Sequence, residues 1–117
     1  PRPLSAKIMV EQHSYKIPVE TTDELYICQI IGVTHYKLVS SIYKPNLYHS
    51  KIQSYRSNEI PVNLFSKFLK QQYPITKNVP IIDLILQPGS CVFIPSFWFY
   101  QSSIDEGKPA VAVKFSY

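Results

Sequence analysis

The stretch Ile81–Ser103, IIDLILQPGSCVFIPSFWFYQSS, constrains this chain more than any other. It holds three apolar runs separated by two breaks. Ile81 to Leu86 is rich in β-formers. Pro88-Gly89 then supplies turn chemistry, because proline fixes φ and glycine tolerates positive φ. Cys91 to Ile94 is a second run, stopped by Pro95, and Trp98 to Ser103 is a third, rich in aromatics. Short β-branched and aromatic runs punctuated by Gly/Pro turns read as neighbouring strands of a sandwich or barrel.

The rest of the chain fits an all-β fold. Lys7–Val10 and Ser14–Val19 read as short strands. Leu25–Ile31, LYICQII, reads as a strongly apolar strand with Gln29 as its one polar member. Gly32-Val33 sits where a hairpin turn is expected, with His35–Val39 as the hairpin partner. Ala110–Phe115 closes the chain. The tally is about seven or eight short strands.

Pro61–Gln72 is the only helix candidate. Leu64, Phe65, Phe68 and Leu69 recur at helical spacing. Asn63 can cap it, and Pro74 forbids continuation. Ser40–Pro61 has no clear period. It reads as a long loop with extended pieces, anchored on the barrel by Tyr43, Tyr48 and Tyr55. Its basic residues Lys44, Lys51 and Arg56 together with its tyrosines admit binding to single-stranded nucleic acid, the tyrosines stacking on bases, a reading that ranks below the anchored loop.

Bulk properties set further limits. The 117 residues suit one domain, 1–117, with one core. Twelve Lys and Arg against eight Asp and Glu leave a net charge of +4, spread without a block of like charges. No nucleic-acid partner is expected from that. No run approaches the roughly 20 apolar residues of a membrane span. There is no Gly-rich phosphate loop and no βαβ alternation. Cys28 and Cys91 lie inside strand-like runs without ligand spacing. They read as buried free thiols, and a disulfide between them needs a geometry that spacing does not supply. The chain starts at Pro1 and shows no signal peptide. It therefore reads as an excised domain or processed product, with an intracellular location favoured over others but fixed by no motif.

LILQPGSCVFIPSFWFYQSS resembles the strand–turn–strand of cupin-like Jumonji C domains, whose pattern is roughly L-x-P-G-D-x-L-F-I-P-x-x-W-W-H. LYICQIIGVTHYKLVSSIYKPNLY is similar to their Gln-Ile-x-Gly segment, and AVAVKFSY to their closing strand. The resemblance covers about Leu25 to Tyr117 with the segments in the same order. It implies a double-stranded β-helix, a cupin or jelly-roll barrel of eight strands, with one short helix in a long connection. The family's enzymes are Fe(II)- and 2-oxoglutarate-dependent oxygenases. They hold iron with an early His-x-Asp pair and a distal His, leaving positions open for reactants.

Carried over residue by residue, the resemblance loses its metal. The distal His falls at Tyr100, and the His-x-Asp pair falls near Val19 and Thr21. The co-substrate lysine falls near Thr34, and the closing strand's Asn near Lys114. Valine cannot coordinate and threonine is a weak ligand. His13 and Asp23, the nearest substitutes for the early pair, are ten residues apart rather than two, so they do not share a strand face as i and i+2 do. His35 and His49 lie after the strand that should carry ligands.

Alternation along the strands gives the interior. If Tyr100 faces inward, Trp98 and Ser102 do too, as do Leu25, Ile27 and Gln29. An interior of Val19, Leu25, Ile27, Trp98 and Tyr100 reads as a former pocket filled as core. Any remaining vestigial pocket would be drawn from Gln29, Thr34, Trp98, Tyr100 and Lys114. The expectation is a catalytically inactive, metal-free and cofactor-free domain serving as a structural or protein-interaction module of a larger protein or assembly. Protein partners are expected, and a homodimer is compatible with the way cupin-like barrels pair through sheet edges and apolar strands. Two alternatives stand beside it: an oxygenase with an atypical metal site, and a small anion- or ligand-binding barrel using Lys114.

Overall fold

The structure is a computed structural model and describes residues 5–11, 17–47, 58–105 and 107–117. Eight strands occur among them: β1 (Ser5–Glu11), β2 (Val19–Thr21), β3 (Leu25–Ile31), β4 (Thr34–Ser40), β5 (Ile82–Leu86), β6 (Cys91–Ile94), β7 (Trp98–Ile104) and β8 (Ala110–Ser116). They form two four-stranded antiparallel sheets. The first has the order β1-β8-β3-β6 and the second β2-β7-β4-β5. This is the jelly-roll architecture that the family resemblance implied, and one form of the sandwich or barrel read from the strand pattern.

The chain changes sheet at nearly every turn, and two expectations are corrected by this. Gly32-Val33 does not close a hairpin, because β3 lies in the first sheet and β4 in the second. Pro88-Gly89 likewise carries the chain from β5 to β6 across the sandwich. Both glycines do hold positive φ, +75° at Gly32 and +89° at Gly89. At Gly32 a Cβ would also lie 2.6 Å from the Pro109 carbonyl oxygen. A glycine between strands marks a sharp turn, but it does not say whether the chain pairs with itself or crosses over.

Two apolar clusters hold the sandwich together. Between the sheets lie Leu25 and Ile27 of β3, Tyr36 and Leu38 of β4, Val92 and Ile94 of β6, and Leu86 and Ala112. The alternation in LYICQII therefore works as read: Leu25, Ile27 and Gln29 are buried. The second cluster covers the outer face of the second sheet. Val39 and Phe99 project into it, and the connection between β4 and β5 supplies Leu47, Ile60, Val62, Leu64, Leu69 and Val79.

That connection differs from the sequence expectation. Ser41–Leu47 is a 3-10 helix rather than an extended loop, and Tyr43 packs on the second cluster. Tyr48, Tyr55, Lys51 and Arg56 lie outside the described residues, as do His13, His49 and the first half of the strand read at Ser14–Val19. The helix expected over Pro61–Gln72 shrinks to α1 (Leu69–Gln72). The cause is a competing hydrogen-bond set. Buried Gln101 on β7 accepts from the Leu64 amide at 2.7 Å and donates to Asn63 Oδ1 at 2.8 Å. Asn63 Oδ1 also accepts from the Phe65 amide at 3.0 Å. These bonds pin residues 63–65 as a turn, and local side-chain bonding of this kind displaces helix.

Cys28 and Cys91 stand directly opposite each other on β3 and β6 and are joined by a disulfide. The free-thiol reading is thereby corrected. Cys91 is exposed and Cys28 half-buried, so the pair staples the outside of the first sheet rather than filling core.

Candidate functional site

Three-residue β2 pairs with the start of β7. Val19 stands opposite Tyr100, Glu20 opposite Phe99, and Thr21 opposite Trp98. Residues directly opposite in an antiparallel pair project to the same side. Val19, Thr21, Trp98 and Tyr100 therefore share the inner face, while Glu20 and Phe99 share the outer one. Across β7, β4 places Leu38 level with Tyr100 and Ser40 level with Trp98.

The chemistry of this inner corner is sparse. Thr21 is buried and its hydroxyl donates to the Asp23 carbonyl at 2.7 Å. Trp98 and Tyr100 are half-buried, not fully buried, and pack against the inter-sheet cluster. Val19 offers hydrocarbon alone. Among the described residues no group of three His, Cys, Asp or Glu side chains could hold a metal ion. Asp23 is exposed. His35 lies level with Ser103 on the outward side of β4, with Nε2 3.6 Å from a carboxylate oxygen of Asp105. The donor set at this corner does not fit the two-imidazole, one-carboxylate arrangement that holds Fe(II).

Thr34 and Gln29 lie elsewhere along the barrel. Thr34 is level with Ile104, four ladder steps from the Leu38–Tyr100 level, or about 13 Å at the usual rise per residue. Thr34 and Gln29 are both buried and bonded to each other, Thr34 donating to Gln29 Oε1 at 3.2 Å. The Gln29 amide donates to the carbonyls of Ile31 and Gly32 at 2.9 and 3.3 Å. Lys114 is half-buried on β8, opposite Ile27 on one side and Lys7 on the other. The structure thus joins Gln29 with Thr34, and Trp98 and Tyr100 with Val19 and Thr21, as two separate groups.

Two features went unseen in the sequence. Phe97, in the turn before β7, holds φ of +65° while 60% exposed. Its amide donates to the Thr21 carbonyl at 2.6 Å and its carbonyl accepts from the Ser41 amide at 3.0 Å. These two bonds hold the inner corner's rim in a backbone region that costs about 1–2 kcal/mol for a non-glycine residue. Glu20, buried on the outer face, pairs with Lys44 at 3.0 Å, and its second carboxylate oxygen has no hydrogen-bond partner among the described residues. No local pattern marks either feature.

Comparison with known proteins agrees with this architecture. The Drosophila melanogaster CENP-C cupin domain superposes with a TM-score of 0.58 at 8% identity, over 97% of this chain and 61% of that one. Hydroquinone 1,2-dioxygenase from Sphingomonas sp. TTNP3 gives a TM-score of 0.57 at 8% identity, over 95% of this chain and 57% of that one. Hydroxypropylphosphonic acid epoxidase from S. wedmorenis gives 0.55 at 8% identity, over 96% and 42%. The chain thus spans about three fifths, or less, of these structures' own lengths. At such identity the likeness concerns the fold. No curated protein matches the sequence. A family model for the Cupin-like domain matches residues 21–117. With the two-sheet jelly roll on which those residues lie, the chain belongs to the family of Cupin-like domains.

Proposed function

We propose that this domain is a metal-free cupin that serves as a structural or protein-interaction module and carries out no iron chemistry. One observation carries the reading: Val19, opposite Tyr100, and Thr21, opposite Trp98, fill the corner where the oxygenases' ligands are expected. A hydrocarbon side chain, a phenol and a hydroxyl committed to a backbone carbonyl are no substitute for two imidazoles and a carboxylate. The corner has become packing surface, since Trp98 and Tyr100 lie against the inter-sheet core.

Two further observations favour protein binding. One fold neighbour is the Drosophila CENP-C structure bound to CAL1. The outer face of the first sheet also exposes Tyr26, Ile30 and Phe93, each at least 40% accessible. Exposed apolar patches of this sort on one face mark interaction surfaces. The test is turnover. Supplied with Fe(II), ascorbate and oxygen, the domain is expected to consume no 2-oxoglutarate above a protein-free control. Enzyme-dependent release of succinate and carbon dioxide would overturn the reading.

A further inference from the structure

The Cys28–Cys91 bond runs across the outer face of the first sheet, from β3 to the edge strand β6. The two are the chain's only cysteines. A disulfide inside a core is sealed from thiols, but this one is not. Cys91 is exposed and Cys28 half-buried. Access of that kind separates labile disulfides from inert ones. Tyr26, Ile30, Phe93 and Val113 flank the pair on that face and carry no charge, so access rather than electrostatics decides how it reacts.

The two sulfurs are not equally open. A thiolate displaces one sulfur of a disulfide by approaching along the S–S axis, opposite the sulfur that leaves. In-line approach to Cys91 comes from beyond β6, where no further strand lies among the described residues. In-line approach to Cys28 comes over β8, where Val113 stands directly opposite Cys28 and so projects to the same face. The order of strands therefore selects Cys91 as the sulfur attacked and Cys28 as the one that leaves.

We propose that Cys91 is a thiolation site, at which a small aliphatic thiol exchanges with the disulfide of the folded domain, and that Cys28 is the resolving cysteine. The step balances without an outside oxidant. The thiolate sulfur bonds to Cys91 Sγ, the Sγ–Sγ bond breaks, and its electron pair leaves on Cys28 as a thiolate that takes up the proton the small thiol lost. The incoming sulfur is oxidised to the disulfide level and Cys28 is reduced. The fold then drives the reverse step. β3 and β6 remain paired from Leu25–Ile94 to Ile27–Val92. Beyond the cysteines, the Gln29 amide donates to the Ser90 carbonyl at 2.9 Å and the Gly89 amide to the Gln29 carbonyl at 3.0 Å. Bonds on both sides keep Cys28 opposite Cys91, so it expels the small thiol and closes the disulfide again.

Trapping tests it. The folded protein is treated briefly with 2-mercaptoethanol, quenched with iodoacetamide and digested for mass mapping. Cys91 bearing the thiol, with Cys28 alkylated, is expected to exceed the reverse arrangement about tenfold or more, since only one sulfur is open in line. The exchange rate is expected to be unchanged by urea too dilute to unfold the protein. When the thiol is removed before the quench, the wild-type adduct is expected to vanish as the disulfide closes. Cys28→Ala, loaded at Cys91 with 2-hydroxyethyl disulfide, is expected to keep its adduct. An adduct on Cys28 equal to or above that on Cys91 overturns the assignment of the two sulfurs. Exchange that begins only when urea unfolds the chain, or whose rate climbs in step with unfolding, overturns a native-state site. A wild-type adduct that persists after the thiol is removed overturns the resolving role of Cys28.

Discussion

Thr34 donates its hydroxyl to Oε1 of Gln29 at 3.2 Å, and so ties the first strand of the second sheet's central pair to the first sheet at the corner where the chain crosses over. Gln29 spends its amide on the Ile31 and Gly32 carbonyls, so this one buried side chain satisfies three groups in and beside a two-residue turn. Glutamine is the side chain that suits the site, because it accepts on one side and donates twice on the other.

This gives an ordered pair of expectations. Thr34→Val removes one neutral hydrogen bond and is expected to cost about 1 kcal/mol. Gln29→Glu replaces two donors by a carboxylate oxygen facing two carbonyls, in a buried site. It is expected to cost roughly 3 kcal/mol or more. Urea unfolding of both variants checks the order, and equal costs would contradict the network.

The two corner glycines should respond differently. Both hold positive φ. Beside Gly89 there is open space, whereas a Cβ on Gly32 would meet the Pro109 carbonyl oxygen at 2.6 Å. Gly89→Ala is therefore expected to cost about 1 kcal/mol, from backbone strain alone. Gly32→Ala adds a clash with main chain and is expected to cost clearly more. Thermal melts of the two variants compare them directly.

The Cys28–Cys91 disulfide closes a loop of 63 residues. Chain-entropy arguments put the stabilisation from such a loop near 4 kcal/mol as an upper figure, with about 2–4 typical. Adding a reductant to wild type, or making the double variant Cys28→Ala with Cys91→Ala, is expected to lower stability by that amount. The double variant is expected to be insensitive to reductant. An unfolding midpoint that reductant leaves unmoved in wild type would contradict the staple.

Much of this was legible in the residues. Leu25–Ile31 and Cys91–Ile94 could be bounded residue for residue, because their apolar alternation ends at a glycine and a proline. The inward face of β3 followed from the same period of two. Sheet membership did not, since turn residues at Gly32 and Gly89 look alike whether a strand folds back or crosses over. Periodicity overstates the helix over Pro61–Gln72 because Leu64 and Leu69, both buried, fit a helical face. What holds that segment open is Gln101, 37 residues away. The disulfide needed the β3–β6 register, which sets Cys28 beside Cys91. For the inner corner, the types of residue could be read off but not their burial, and Tyr100 proves half-buried rather than enclosed.

The central claim is that the cupin corner formed by Val19, Thr21, Trp98 and Tyr100 holds no metal, and calorimetry tests it most directly. Wild type and Tyr100→His are titrated with Fe(II), Mn(II) and Zn(II) at neutral pH. Neither is expected to bind any of them at one ion per chain. Restoring one imidazole opposite Val19 supplies one ligand of the three an iron site requires. Micromolar one-site binding by wild type, or by Tyr100→His alone, would contradict the account, because two ligands would then have been present at that corner all along.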